Sequence, residues 1–286
     1  MEKVLIAGAS GALGIEVLKK LHHLGIPARA LVHSEQGFEK VEPYTHDIFF
    51  ADARDPHAME GVCKDMQVVF SALGKSVSLF KPRLNSYREI DYEGNRNLLH
   101  QALRSGVKRF VYTSIMGSGS AHHLSIAKEH QRIQHLLEQS PVQYTIIKPV
   151  GFFSGLHDLL IMAKRGIIPI PGSGHFRTNS IHPTDLAQVA VDHLFEGPKV
   201  MDVGGPKIES RNEMARTIQA KTNARIIHIS PRLMQAGLVP FGLFKKGFAA
   251  NLDYFRYVTT HDMIAPCYGK ITFKEYVEQL DLNQLP

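Results

Sequence analysis

Glycines 8, 11 and 14, in the run Gly8-Ala9-Ser10-Gly11-Ala12-Leu13-Gly14, are the residues whose spacing points most directly to chemistry. They lie between a short apolar run, Val4–Ala7, and a helical repeat. Without Cβ atoms a tight turn forms at little steric cost and the backbone can approach a ligand closely. Free N–H groups at the start of the following helix, reinforced by its dipole, meet negative charge there. The expected chemistry is the binding of a pyrophosphate, because the loop has the strand–loop–helix context of a dinucleotide site. A second position bears on which dinucleotide fits. The next strand ends Leu31-Val32-His33-Ser34, with no acid until Glu35. An acid at that point would accept hydrogen bonds from a ribose 2′-OH and repel a 2′-phosphate. Histidine and hydroxyl can both donate to phosphate, so the sequence predicts NADP(H), with NAD as the alternative.

Positioning these residues requires strands and helices in alternation. After Val4–Ala7, Leu13, Val17, Leu18, Leu21 and Leu24 repeat at helical spacing until Gly25 and Pro27. Ala28–Val32 and Ile48–Ala51 read as strands separated by a polar segment around Ser34–Lys40, and Asp55-Pro56 as the start of a short helix. Val68–Leu73 is the next strand, followed by a long amphipathic helix that ends near Ser105. A strand over Phe110–Thr113, a helix over Ile126–Gln139 and a strand from Tyr144 to Pro149 complete the pattern. Such alternation predicts an α/β fold, a doubly wound parallel sheet of Rossmann type. After Pro149 the texture is irregular, with helical signals at Asp185–Phe195 and capping boxes at Ser210…Glu213 and Thr272…Glu275. The expected organisation is a nucleotide-binding domain over 1–150 with a smaller α/β substrate region over 151–286 packed on it.

The GxxGxxG form of the loop resembles the short-chain dehydrogenase/reductase superfamily, especially its atypical, NmrA-like branch. Asp52-Ala53-Arg54-Asp55 looks like that family's adenine-contacting acidic motif, and Ser71-Ala72-Leu73-Gly74 like its fourth-strand cofactor loop. Asp91-Tyr92-Glu93-Gly94-Asn95, Arg109 to Ser114, Tyr144 to Pro149 and Ile181 to Ala187 also resemble family segments, in family order. The resemblance covers roughly residues 1–205 and implies cofactor contacts from Gly8 to Leu13, His33, Ser34, Asp52, Ala53, Ala72, Leu73, Gly74, Ser114, Lys128, Pro149 and Phe153. His33 stands where many NADP-preferring relatives carry arginine. Phe153 would flank the nicotinamide or substrate, or else be ordinary core.

Conventional members of that superfamily pair a tyrosine with a lysine four residues on. The tyrosine donates a proton to the carbonyl oxygen as hydride addition builds charge on it. Here Lys128 matches the lysine, but Leu124 stands at the tyrosine position and can donate nothing. Lys128 then either binds the nicotinamide ribose and assists catalysis, or binds cofactor in a protein without activity, or is a solvated helix residue. His122, His123 and Ser125 are nearby substitutes for the missing acid. Ser114 closes the fifth strand beside the cofactor.

Composition narrows the alternatives. The chain has 286 residues, 44% hydrophobic and 21% charged, as in globular proteins with a sizeable core. The net charge of +6 comes from dispersed basic residues, which argues for attraction to anionic ligands and against a nucleic-acid stripe. Cys63 and Cys267 are far apart and read as reduced thiols in a cytoplasmic protein. The apolar run from Val4 is too short for a signal peptide, and no run is long enough to span a membrane. His130 and His135 are not at metal-ligating helix spacing, so no metal is expected. Residues 237–248 mix apolar side chains with Lys245-Lys246 and read as a pocket lid, a membrane-surface helix or a core helix. The leading function is an NADPH-dependent reductase of a small apolar carbonyl, quinone or activated alkene. A non-enzymatic NADP(H) sensor of the NmrA type comes second and a sugar-nucleotide epimerase third. A homo-oligomer or a regulatory protein partner stays open.

Overall fold

A computed structural model describes residues 2–78, 86–121, 123–230 and 248–282. His122 and the segment 237–247 lie outside the described residues. The chain divides into two compact units, the first comprising residues 1–75, 85–148 and 186–202 and the second the remainder.

In the first unit β1 (Val4–Ala7) is buried along its whole length, as a strand covered on both faces must be. Helix α1 (Ala12–His23) follows and buries Leu13, Val17, Leu18 and Leu21 on its apolar stripe. Next come β2 (Ala28–Val32), α2 (Glu35–Val41), β3 (Asp47–Phe50) and β4 (Val68–Ser71). A π-helical turn, Arg88–Gly94, runs directly into α3 (Asn95–Arg104), and β5 (Arg109–Thr113), α4 (Ser125–Gln139) and β6 (Gln143–Pro149) follow. The sheet has seven strands in the order β3-β2-β1-β4-β5-β6 with Val200–Val203 at the far edge. Val4 aligns with Ala28 on one side and Val68 on the other, both parallel. The outermost strand is also parallel, since Ile146 and Val150 donate to Lys199 and Val203 at a constant offset. This is the doubly wound Rossmann arrangement, and its order reverses between β1 and β4.

Three local expectations are corrected. The polar stretch after Val32 is a helix, because the Ser34 hydroxyl accepts from Gly37 N–H at 3.1 Å and caps it. Asp55 does cap the next backbone N–H groups, at 2.9 and 3.2 Å, but no helix follows. The chain there closes in successive i to i+3 turns, and residues with positive φ at Gly61 and Asp65 prevent a regular helix. The long helix ending near Ser105 begins as a π turn, which admits an extra residue and swings Asp91 and Asn95 inward, where both are buried.

The second unit holds a parallel strand pair, Ile167–Pro171 with Arg225–Ile229, and a short antiparallel pair, Arg177–Thr178 with Glu209–Ser210. Helices His157–Lys164, Arg211–Thr222 and Phe273–Gln279 accompany them, and its core gathers Phe153, Leu160, Ile168, Met214, Ile218 and Phe273. Both capping boxes are present, with Ser210 and Glu213, and Thr272 and Glu275, exchanging side-chain and backbone bonds. Among the described residues no helix is long and apolar enough to cross a membrane.

Candidate functional site

The loop between β1 and α1 is shaped by the two glycines whose side chains would collide with backbone. Gly8 has φ +75°, and a Cβ there would stand 2.6 Å from the Ala72 carbonyl oxygen. A Cβ on Gly14 would stand 2.2 Å from the carbonyl oxygen of Gly8, so this position brings α1 hard against the loop. Gly11 donates to Gly8 at 3.0 Å, and as N-cap of α1 it leaves the first-turn N–H groups without a side-chain acceptor. Gly11 and Ala12 are exposed while Ala9 and Leu13 are buried. The result is a cradle of free donors at a helix N-terminus, at the switch point of the sheet, and it fits a pyrophosphate.

Adjacent loops are tied to this cradle through α3. Asn95 donates to the carbonyl oxygens of Leu73 and Asp91 at 3.0 and 2.8 Å and accepts from the Ser71 hydroxyl at 2.6 Å. Asn97 donates to the carbonyls of Ala53 and Arg54 at 3.0 and 3.2 Å. Two amides two residues apart thereby hold the loops after β3 and β4, and residue spacing alone does not mark either as a holder of those loops. At the outer end, His33 is exposed. Asp52 is bound by Arg54, whose Nη2 lies 2.5 Å from Oδ2, and this guanidinium holds the Asp52 carboxyl below its ordinary range. Ser34 faces the loop side, its α2 neighbour Gly37 lying close to the Ser10 hydroxyl.

The helix expected to carry the chemistry presents something else. Leu124 is buried, and Lys128 is exposed. Two residues on, His130 faces inward and joins a buried polar chain. Its Nδ1 lies 2.6 Å from the Tyr112 hydroxyl and its Nε2 3.4 Å from Asp91 Oδ1. The other Asp91 oxygen accepts from the Lys75 backbone N–H at 3.2 Å. A neutral imidazole with its proton on Nε2 satisfies both partners, accepting from the phenol and donating to the carboxylate. Burial pushes the Asp91 carboxyl up, against the opposing pull of His130, and pushes the Tyr112 phenol well above its ordinary value. Burial also pulls the Lys75 ammonium down, opposed by the Asp91 and Glu89 charges. Ser114 is buried too, its hydroxyl taking a 2.8 Å bond from Gln134, which also reaches Ser118 at 2.7 Å. Spacing along one helix does not reveal this chain, because its members come from β5, α4, the π turn and the loop after β4.

Pro149 and Phe153 belong to the second unit. Phe153 is 2% exposed and packs on Phe273, Tyr276 and His182 at ring distances of 5.4, 5.3 and 6.2 Å. Beside it His157 Nε2 hydrogen-bonds the Tyr276 hydroxyl; burial pushes that phenol up to about 12 and holds His157 below its usual value. Among the described residues no cluster of His, Cys, Asp and Glu could hold a metal, and Cys63 and Cys267 are free thiols.

The fold and the cradle define a Rossmann-type protein that binds NAD(P)H. The chain belongs to the NAD(P)H-binding family, whose model matches residues 8–197. It is 24% identical to an NAD(P)H azoreductase from Xenophilus azovorans over 82% of this chain and 78% of that protein. It is 25% identical to a photosystem II assembly factor from Guillardia theta over 67% of this chain, and the match spans only 60% of that relative. Among solved structures it is similar to the Citrobacter triphenylmethane reductase complexed with NADP(H), with a TM-score of 0.77 at 16% identity, covering 96% and 99% of the two chains.

Proposed function

We propose that this chain is an NADPH-dependent reductase acting on a small apolar carbonyl, quinone or activated alkene. The observation that carries the proposal is the cradle at Gly8–Gly14 together with the β2 end, where exposed His33 and half-buried Ser34 stand in place of the acid that would repel a 2′-phosphate. The names of two similar proteins, an azoreductase and a triphenylmethane reductase, support reduction of conjugated substrates. Bound NADPH supplies a hydride. This chain's residues would bind and orient it: the first-turn N–H groups of α1 would take the pyrophosphate, Asp52 and Ala53 the adenine end, and the loop Ala72 to Gly74 would also contact the cofactor. Ser114 and Lys128 would flank the nicotinamide end.

NADPH oxidation by the purified protein against quinones, aldehydes and enones tests this reading. Turnover with NADPH preferred over NADH is expected. No turnover with any of them, with equal affinity for NADP+ and NADPH, would overturn it. The second reading, a sensor that reports the NADP(H) state to a protein partner, draws on one observation: α4 offers buried Leu124 in place of an acid. An epimerase stands behind both, because that chemistry depends on the same absent tyrosine.

A further inference from the structure

The Lys75 side chain is almost wholly withdrawn from solvent, at 5% exposure, yet among the described residues its ammonium has no hydrogen-bond or ion-pair partner. Nζ lies over the Tyr87 ring, 4.6 Å from its centroid. An ammonium carries three donors, and among the described residues none of the three is taken by a protein acceptor, so they are available to a ligand. The cation–π contact contributes about 2 kcal/mol at most and leaves the donors free.

The position of this cation is set by the cofactor loop. Lys75 follows Gly74 directly, and Ala72 at the other end of the loop abuts Gly8. Three residues of extended chain span at most about 11 Å, so the lysine is anchored at the C-terminal edge of the sheet beside the cradle. Asp91 fixes that anchor: Oδ2 takes the Lys75 N–H, and Oδ1 lies 3.2 Å from where a Cβ on Gly74 would stand. The groups around Lys75 are Tyr87, which precedes the π turn, and Glu89 and Asp91 on it, with His130 of α4 and Tyr112 of β5 behind Asp91. The desolvated site makes the ammonium a better acid than a surface lysine, with Asp91 and Glu89 opposing that trend.

We propose that Lys75 is the proton donor of the reduction, the role that Leu124 cannot fill. This inference rests on the reductase reading. As a carbonyl carbon receives hydride from NADPH, its π pair shifts to oxygen. An Nζ–H bond of Lys75 breaks and the new O–H bond forms. The substrate gains a hydride from NADPH and a proton from Lys75, two electrons and two protons in all; NADP+ is left, and the neutral amine is reprotonated by solvent. The Asp91–His130–Tyr112 chain positions the loop that carries the lysine.

The test compares wild type with Lys75→Met and Lys75→Arg. Methionine keeps the apolar stem, while arginine keeps the charge but holds its proton too tightly to donate. Both variants should bind NADPH by fluorescence titration while kcat falls roughly 10²- to 10⁴-fold, the usual contribution of a general acid. In wild type the rate should decline as pH rises through the Lys75 pKa, at a pH below the ordinary lysine value of about 10.4, and both variants should lack that limb. An independent readout is the Nζ titration by NMR of labelled lysine: the positive nicotinamide ring of NADP+ should place the Lys75 pKa below its value in the NADPH complex. Equal values in the two complexes, or a Lys75→Met protein that keeps its kcat and its alkaline limb, would overturn the assignment to Lys75 alone. A wild-type protein that binds NADPH and reduces nothing would instead overturn the reductase reading, and the donor role with it.

Discussion

The glycine loop and the aromatic cluster of the second unit are built on opposite principles. At Gly8 and Gly14 the structure depends on missing atoms: a side chain would meet backbone at 2.6 and 2.2 Å. Around Phe153 it depends on bulk, with the rings of Phe273 and Tyr276 packed within 5.4 Å. The loop is contiguous in sequence, whereas the cluster draws on residues 153, 157, 182, 273 and 276, from three separate stretches of chain. The difference teaches that ligand binding through backbone is a local property, and a core made of side chains is a property of the whole unit.

Substitutions can break or sharpen that contrast. Phe153→Ala should cost the most stability, roughly 3–5 kcal/mol for a buried aromatic, read as a fall in denaturant midpoint. If Phe153 is core, the folded protein keeps its NADPH affinity; a weakened NADPH complex would put the ring back beside the nicotinamide. Gly8→Val should act the other way round. The strain of about 1–3 kcal/mol at a positive φ falls on the loop, so NADPH affinity should drop roughly ten- to a hundredfold. An unchanged affinity in a fluorescence titration would show that the cradle is not the pyrophosphate site. Smallest is Ser210→Ala, which removes one capping bond and should cost about 1 kcal/mol without touching the cofactor. A larger loss would mean that the capping box does more than close one helix.

Legibility in the sequence follows the same division. The buried β1 run, the period of α1 and both capping boxes are patterns within a few residues of one another, and each element forms where its pattern lies. Ser34 is instructive: its place after β2 suggested a phosphate donor, and the structure also uses its oxygen to cap α2. The turns after Asp55 escaped pattern reading because a good cap starts a helix only if the following backbone stays in the helical region, and Gly61 and Asp65 do not.

The sequence by itself determined the α/β alternation, the cradle at Gly8–Gly14 and the absence of an acid both at the end of β2 and at Leu124. Those are matters of residue type and short spacing, which local geometry translates directly. Only the tertiary structure decided which ionisable groups are withdrawn from water together. Asp91, Tyr112 and His130 lie up to 39 residues apart, by their numbers, and Lys75 belongs to yet another segment. The protonation of Asp91, Tyr112 and Lys75 is governed by mutual distance and desolvation, and neither is written in the order of the chain.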